Sequence, residues 1–463
     1  MASRACRDFS RSALLRRAVA QAGQGLPEIE PGMPLPAGTG LDRRELLARS
    51  VGLALAVYGA SRVGLPGLDE GIAHAAAAAS PSEPVLVTVY MNGGVDSLSV
   101  LAPVGDPAYR RLRPRLALPD SGLRFGEDDR LRWHPSARAL EELHREGKLT
   151  VLPAVGYTGA DQSHFTSRHY WEVGATDASA RTGWLGRYLD RYGSADNPMQ
   201  GLSLDGSLSP VLATARAPVA ALRGADGYTF WSHNVWGQVE GRMRESIGLL
   251  GAAAGSGDRE LARAAAVASQ ADTLHRQLAP LRAKARDGTK FGSPVEYPKH
   301  RSSFPDRLAG LAAMLALGLP LRCVSLSAFG MYDTHSEQPD QLAAGLQLTA
   351  DSLLAFQRDL EARGLADRVV TLVWSEFGRR AEENGSRGTD HGAAGIGFLL
   401  GSRVRGRMIG EFPGLGKLDG DGNLRATADF RALYAALVEQ WLGADAAVVV
   451  PRAGAFDRPR LFR

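Results

Sequence analysis

Residues 84–91 read PVLVTVYM and mark the first strand of the predicted core. The run is continuously apolar and rich in β-branched residues, which is typical of a strand buried on both faces. Comparable runs recur at 148–157, 321–330, 367–378 and 395–402. We therefore predict five buried strands.

Helical patterns alternate with these strands at 134–147, 163–174, 340–364 and 427–443. Ser163 is a candidate N-cap for the second of them. This alternation requires crossover connections, which favour a mostly parallel sheet covered by helices on both faces. The predicted fold class is therefore α/β, a three-layer α/β/α sandwich.

One region of the chain departs from this pattern. Residues 205–305 are rich in alanine, glycine and arginine, with helical stretches and few strand patterns. We interpret them as a helical insertion or lid on the main domain, which spans residues 81–463.

Residues 1–80 have the order of an export signal and leader. Arg43 and Arg44 precede a weakly apolar run, and the small-residue stretch HAAAAAS follows at 74–80. These features resemble a twin-arginine signal, with an amphipathic helix beginning at Asp42 as the alternative. The apolar run is too short and interrupted to predict a stable membrane span. We expect an exported protein of the periplasm or cell envelope, whose partner during export is the twin-arginine translocation machinery.

Composition narrows the classes of partner. The chain has 463 residues, 44% of them hydrophobic, and a formal net charge of +4. The basic residues are spread along the chain, so no nucleic-acid partner is predicted. Cys323 lies inside the apolar run LRCVSL and is interpreted as a buried small hydrophobe rather than a catalytic thiol, while Cys6 belongs to the leader.

Acidic and imidazole side chains follow the predicted strands at their carboxyl ends, where open parallel sheets bind ligands. Carboxylates and neutral imidazoles together suit zinc, manganese or a similar ion, whereas carboxylates alone suit magnesium or calcium. We predict a divalent metal site whose candidate ligands are Asp96, Asp333, His335, Glu376, Asp390 and His391.

Several of these candidates have a structural alternative. Asp96 can cap a helix that starts one residue later, and Ser163 is a natural N-cap whatever its chemistry. Asp333 and His335 can hydrogen-bond the backbone of a turn. Glu376 can pair with one of the arginines that follow it.

Four blocks of sequence together carry a family resemblance. They are MNGGVDSLSVLAP at 91–103, DQSHFTSRHYWEVG at 161–174, DTHSEQ at 333–338 and SEFGR…ENGSRGTDHG at 375–392. They resemble the family called domain of unknown function 1501, from about residue 84 to the C-terminus. That family is similar to the alkaline phosphatase-like superfamily of phosphatases, phosphodiesterases and sulfatases, which implies an alkaline phosphatase-like sandwich.

The resemblance also implies metal ligands. The superfamily's metal-binding aspartate after the first strand is matched by Asp96, and a later Asp–His pair by Asp333 and His335. The last histidine of the metal site is matched by His391. Asp390 stands beside it, either as a ligand or as a partner that orients the imidazole.

The resemblance implies a nucleophile at a helix N-terminus. Ser163 matches best and Thr166 second, and the adjacent His164 completes the candidate catalytic set. The chain departs from the superfamily after the fourth strand, where Glu376 can replace an aspartate but Phe377 stands in place of an imidazole. Because Phe377 cannot coordinate, one of the two usual metal positions is expected to be depleted.

Two functional hypotheses follow. The leading one is metal-assisted hydrolysis of a phosphate or sulfate ester, with a small-molecule or ester substrate. The alternative is a non-catalytic, metal-stabilised protein that serves in binding or envelope assembly. A redox enzyme with an organic cofactor fits poorly, because NGGVDSL lacks the glycine spacing of a dinucleotide site.

Overall fold

The computed structural model describes residues 83–120, 122–225, 238–253, 259–281 and 290–463. The predicted leader, residues 1–80, lies outside this range. None of the described helices is long and apolar enough to cross a membrane.

Thirteen strands are present in the described residues. They are β1 (Val85–Tyr90), β2 (Leu101–Ala102), β3 (Leu123–Arg124), β4 (Arg132–Trp133), β5 (Leu149–Gly156), β6 (Gly201–Ser203), β7 (Ala220–Ala221), β8 (Cys323–Ser327), β9 (Val369–Trp374), β10 (Arg379–Glu383), β11 (Thr389–His391), β12 (Gly395–Leu400) and β13 (Ala428–Asp429).

The described helices are α1 (Ser97–Val100), α2 (Tyr109–Leu112), α3 (Arg138–Arg145), α4 (His164–Val173), α5 (Trp184–Tyr192), α6 (Gln238–Ala253), α7 (Arg259–Gln277), α8 (Phe304–Ala316), α9 (Gln338–Ala362), α10 (Phe430–Gln440) and α11 (Ala446–Val449).

Eight strands form the central sheet, in the order β13-β5-β12-β9-β1-β8-β6-β7. Strand β12 runs antiparallel to both of its neighbours, and the other pairings are parallel. All five predicted strands lie in this sheet, so the prediction of a mostly parallel sheet is confirmed. The hairpin β10–β11 is inserted between β9 and β12 and lies outside the sheet.

Both faces of the sheet are covered. In β1, Val85, Val87 and Val89 join one core cluster, whereas Leu86 and Tyr90 join another. Because successive strand side chains point to opposite faces, the two clusters lie on opposite sides of the sheet. The first cluster contains residues of α3, α8 and α9, and the second contains residues of α5 and α10. The predicted three-layer sandwich is confirmed.

Cys323 is completely buried in β8. Burial raises the pKa of its thiol to about 12, so the thiol stays protonated at neutral pH. The structure therefore agrees with its interpretation as a buried apolar side chain.

The described part of residues 205–305 is largely helical. Helices α6 and α7 pack against each other so closely that a Cβ at Gly251 would lie 2.3 Å from the carbonyl oxygen of Ala265. Leu274, in α7, joins the core cluster on one face of the sheet. The described helices thus pack on the main domain, and a role as a lid stays a prediction.

Candidate metal centre

Side chains from three separate segments meet beyond the carboxyl ends of the parallel strands. His164 begins α4, after β5, and Asp333 and His335 lie in the loop between β8 and α9. His391 ends β11, on the inserted hairpin. Crossover connections bring these distant segments to one edge because neighbouring parallel strands end there.

Three imidazoles converge on one carboxylate oxygen. The Oδ1 atom of Asp333 lies 3.3 Å from Nε2 of His164, 3.1 Å from Nε2 of His335 and 3.4 Å from Nε2 of His391. The Nε2 atoms of His335 and His391 are 3.0 Å apart. At that separation the two nitrogens cannot both carry a proton, so at least one of them directs a lone pair into the cluster.

The other ring nitrogen of each imidazole faces an oxygen acceptor. Nδ1–H of His164 donates to Glu376 Oε1 at 2.8 Å, and Nδ1–H of His335 donates to Asp390 Oδ1 at 3.0 Å. In His391 the same group donates to the carbonyl oxygen of Gln162 at 2.7 Å.

Donation from Nδ1 leaves Nε2 as the atom of a neutral imidazole that can ligate a metal. All three rings are held in the tautomer and orientation that metal ligation requires.

The donor set fits a divalent cation of the zinc type. Four ligand atoms about 2.0–2.1 Å from one zinc ion would lie about 3.3 Å from one another in tetrahedral geometry. In the structure, Asp333 Oδ1 lies 3.1 to 3.4 Å from the three Nε2 atoms, and the Nε2 atoms of His335 and His391 lie 3.0 Å apart. His164, Asp333 and His391 each offer a ligand atom within 4.8 Å of the others. Three nitrogens and one oxygen suit zinc or manganese better than magnesium or calcium.

Arg379 is the fixed positive charge of the site. Its Nη2 donates to Asp333 Oδ1 at 2.7 Å, and its other hydrogen bonds include the carbonyl oxygens of Gly93, Gly94 and Thr389. The guanidinium is completely buried and ties the hairpin to the loops after β1 and β8. We interpret Arg379 as the residue that positions Asp333, since its N–H groups are used within the protein.

Glu376 supports His164 and does not face Asp333. Its buried carboxylate accepts the backbone N–H groups of Gly93 and Gly94 at 3.1 to 3.2 Å and the Ser375 hydroxyl at 2.9 Å. Burial raises the pKa of this carboxyl, but the hydrogen bonds that it accepts, foremost that from His164, together hold the pKa at about 2. The predicted role of Glu376 as a ligand, and its alternative pairing with an arginine, are replaced by this contact.

Phe377 forms an apolar wall of the cluster. It is 1% exposed, and its ring centroid lies 4.8 Å from those of both His164 and His391. Phe377 therefore packs against two of the imidazoles, with no ligand atom to offer. This placement supports a centre for one metal ion.

Gly94 is required where Phe377 packs. It has φ +73°, and a Cβ there would lie 2.3 Å from the Phe377 ring, whereas Gly159 has φ +69° and open space. We expect Gly159→Ala to cost about 1–2 kcal/mol, from the left-handed backbone alone. Gly94→Ala should cost about 1–3 kcal/mol more, from overpacking. Urea unfolding of both variants measures the difference, and equal losses would contradict the packing argument.

Asp96 is bound elsewhere. Both of its carboxylate oxygens accept hydrogen bonds from Arg113, at 2.5 and 2.8 Å, and Ser99 and Gln338 bind Oδ2. Burial raises the pKa of this carboxyl, but Arg113 and the hydrogen bonds from Ser99 and Gln338 together hold it below its usual value. Asp96 stands at the N-cap position of α1, but its side chain does not cap that helix. We therefore leave Asp96 out of the proposed ligand set.

Asp390 is half-exposed and orients His335. The sequence had placed Asp390 beside His391 as a ligand or as that imidazole's partner. The structure gives it the supporting role for a different histidine, because side chains of adjacent residues on β11 point to opposite sides. The main-chain oxygen of Gln162 supports His391 instead.

The candidate nucleophiles lie at the start of α4. The Ser163 hydroxyl oxygen accepts the backbone N–H groups of Phe165 and Thr166 at 3.2 and 3.5 Å and so caps the helix. Thr166 is partly buried one turn further on. His164, predicted with the catalytic group, instead faces Asp333 among the candidate ligands.

Two buried arginines were not predicted from the sequence: Arg379, which holds Asp333 in the centre, and Arg113, which binds Asp96 outside it. Arg379 was considered only as a possible partner of Glu376, and Arg113 was not considered at all. Both arginines are completely buried, and their partners lie far away in the sequence. One indication of these contacts was present in the sequence, which is that Arg379 lies in the SEFGR motif, three residues after Glu376.

A family profile matches more than half of the chain. The family described as "Protein of unknown function (DUF1501)" matches residues 158–430, which include the three imidazoles and Asp333. The chain belongs to this family. The predicted family is confirmed. A comparison with curated proteins found no match.

Solved structures of the alkaline phosphatase type are similar to this member of the DUF1501 family. One is a protein in the alkaline phosphatase superfamily from Vibrio parahaemolyticus, with TM-score 0.36 and 10% identity over 91% of this chain and 80% of the other. Another is the C-terminal periplasmic domain of EptC from Escherichia coli in complex with Zn, with TM-score 0.34 and 10% identity over 80% and 87%.

A third is Ps i-CgsB, with TM-score 0.34 and 10% identity over 81% of this chain and 77% of the other. At this level of similarity the neighbours say nothing about the substrate of this chain.

Proposed function

We propose that this chain is an exported metal-dependent hydrolase of phosphate or sulfate esters. The observation that carries the proposal is the convergence of three imidazole Nε2 atoms on Asp333 Oδ1 at 3.1 to 3.4 Å. His164, His335, His391 and Asp333 would hold the ion. A bound zinc-type ion supplies Lewis acidity and a water of lowered pKa, which is the chemistry that ester hydrolysis needs.

The protein's own contribution is to preorganise the ligands. Glu376, Asp390 and the Gln162 carbonyl each fix one imidazole through its Nδ1–H. Such partners raise ligand basicity and typically account for a 10–100-fold effect on metal affinity. Asp333 and Glu376 are anionic and Arg379 is cationic. With neutral imidazoles, these three side chains carry a net negative charge, which favours the binding of a divalent cation.

Helix α4 contributes to the same site. Its N-terminus begins at His164, so the positive end of the helix dipole lies beside the metal ligands. That field favours an anionic ester oxygen and the charge that develops during hydrolysis.

The attacking group is either the Ser163 hydroxyl or a water molecule. The cap hydrogen bonds orient the Ser163 oxygen toward the helix backbone, which favours direct attack by water. We expect Ser163→Ala to keep most of the turnover and to lose about 1 kcal/mol of stability from the lost cap. A fall in turnover of a hundredfold or more, with the metal retained, would instead identify Ser163 as the nucleophile.

One observation supports the alternative function, that of a non-catalytic protein stabilised by its metal. If all four candidate donors bound one ion, they would fill a tetrahedral site, which is typical of structural zinc sites, whereas catalytic sites keep an open position. In that case the ion would stabilise the fold without turning over a substrate.

One experiment separates the two functions. Purified protein would be analysed for metal, melted with and without chelator, and assayed with aryl phosphates and sulfates in Zn²⁺, Mn²⁺, Mg²⁺ and Ca²⁺. We expect about one ion per chain and turnover that His391→Ala abolishes and the exposed-site control His300→Ala preserves. Metal-dependent melting without turnover of any ester would support the structural role, and the absence of bound metal would overturn both.

A further inference from the structure

A second candidate site lies at the opposite edge of the sheet from the metal centre. It is a cleft of about 630 Å³ beside the start of β5, where Nδ1–H of His144 donates to the carbonyl oxygen of Leu149. Strand β5 has 8 residues, each advancing about 3.3 Å toward the metal-binding edge. The cleft is therefore separated from the metal centre by the length of a strand.

The cleft is rimmed by arginines. Arg124, Arg405 and Arg407 are exposed and make no ion pair or side-chain hydrogen bond with the described residues. Arg145 has one acidic neighbour, Glu141, at 3.6 Å. Exposed guanidinium groups that surround one concave surface and are not paired with acidic residues create a positive potential there and attract anions.

The two acidic residues of the cleft do not neutralise this positive potential. Glu127 is bound by the His144 ring at 3.0 Å and by the backbone N–H of Met408 at 2.8 Å. Glu141 faces Arg145. Four arginines against two engaged carboxylates leave a net positive charge around the cleft.

The segment that carries two of the arginines is held rigidly. The Gly406 N–H donates to Thr150 Oγ1 at 3.0 Å, the Arg405 N–H donates to the carbonyl oxygen of Leu461, and the carbonyl oxygen of Arg407 accepts the N–H of Val151 in β5. Gly406 has φ +67°, and a Cβ there would lie 2.2 Å from the carbonyl oxygen of Gly147. Anchoring the backbone lowers the entropy lost when the two side chains bind a ligand.

The wall of the cleft includes a buried indole. Trp133 lines it and is completely buried, and its indole N–H has no acceptor among the described residues. His144 and Phe125 stack at 4.9 Å between ring centroids and pack beside this indole. An aromatic base with charged donors on the rim is the arrangement of many small-molecule sites.

We propose that this cleft binds a small ligand that carries two or more phosphate or sulfate groups. Guanidinium groups bind such oxyanions through paired, charge-assisted hydrogen bonds. The volume lies within the usual range of about 300–1,000 Å³ for ligand pockets. The site is independent of the proposed hydrolase activity, since it shares no residue with the metal centre.

Titration calorimetry tests the proposal with two defined probes, inorganic tripolyphosphate and sucrose octasulfate, at low and moderate salt. The His391→Ala protein is used throughout, so that the metal centre does not contribute. We expect saturable binding of at least one probe, weakened by added salt. Comparison of the two probes distinguishes a phosphate from a sulfate preference.

The double variant Arg405→Gln/Arg407→Gln should lose about tenfold in affinity for each arginine removed. Arg403→Gln/Arg216→Gln removes the same two charges from exposed positions outside the cleft and should bind like the parent. An equal loss in both variants would show binding to overall charge and overturn the site, as would the absence of saturable binding by either probe.

Discussion

The Asp333→Asn variant is expected to lose its bound metal. Asp333 Oδ1 is the atom on which the three imidazoles converge, and the substitution removes its negative charge with almost no change in volume. Structural zinc sites bind with about 10–16 kcal/mol in total, so one of four ligands accounts for roughly 3 kcal/mol. We therefore expect metal affinity to fall at least about a hundredfold.

Competition with a chromophoric chelator measures this loss, and the hydrolysis assay follows it. The exposed Asp421→Asn variant is a matched control that changes the same net charge. Retention of parental metal affinity by Asp333→Asn would contradict the assignment of the centre.

Replacing Glu376 by glutamine is expected to weaken both the fold and the metal site. The buried carboxylate accepts two glycine N–H groups, a hydroxyl and the His164 Nδ1–H, and an amide nitrogen would face one of these donors. Breaking such a buried charged contact costs about 3–5 kcal/mol of unfolding free energy. Misorientation of His164 should also reduce metal affinity about 10–100-fold.

Asp390→Asn is the matched control for this prediction. Asp390 holds His335 as Glu376 holds His164, but its side chain is 52% exposed. We expect a measurable loss of metal affinity with little change in urea stability, because an exposed contact contributes about 1 kcal/mol or less. If both variants unfolded at the same urea concentration, burial would not be the source of the Glu376 effect.

The ends of the strands show which parts of the metal centre the sequence pattern can predict. The apolar runs place Asp333, His335 and Glu376 at carboxyl ends, which share an edge in a parallel sheet, and place His391 in the loop before the fifth strand. His391 reaches the same edge because that strand, β12, runs antiparallel to its neighbours. The pattern cannot tell which of two neighbouring side chains faces the edge. Asp390 and His391 illustrate this limit, because alternation along β11 assigns them different partners.

Asp96 shows a second limit. Its position after the first strand is that of a metal ligand in the resembling superfamily, and nothing in the local sequence contradicts that role. The side chain instead meets Arg113, a residue 17 positions further along the chain, in a completely buried pair. A buried carboxylate is stabilised by whichever cation the packing brings to it, and that is a long-range outcome.

Local patterns were sufficient for the α/β class, the five strands and the family, because strand burial and motif spacing are properties of short segments. Only the tertiary structure decided which residues of the centre can bind the metal and which orient the ligands. Nδ1 contacts from three distant segments separate the ligands from the residues that orient them. Such contacts follow from crossover connections and packing, which join residues more than 200 positions apart, such as His164 and Glu376.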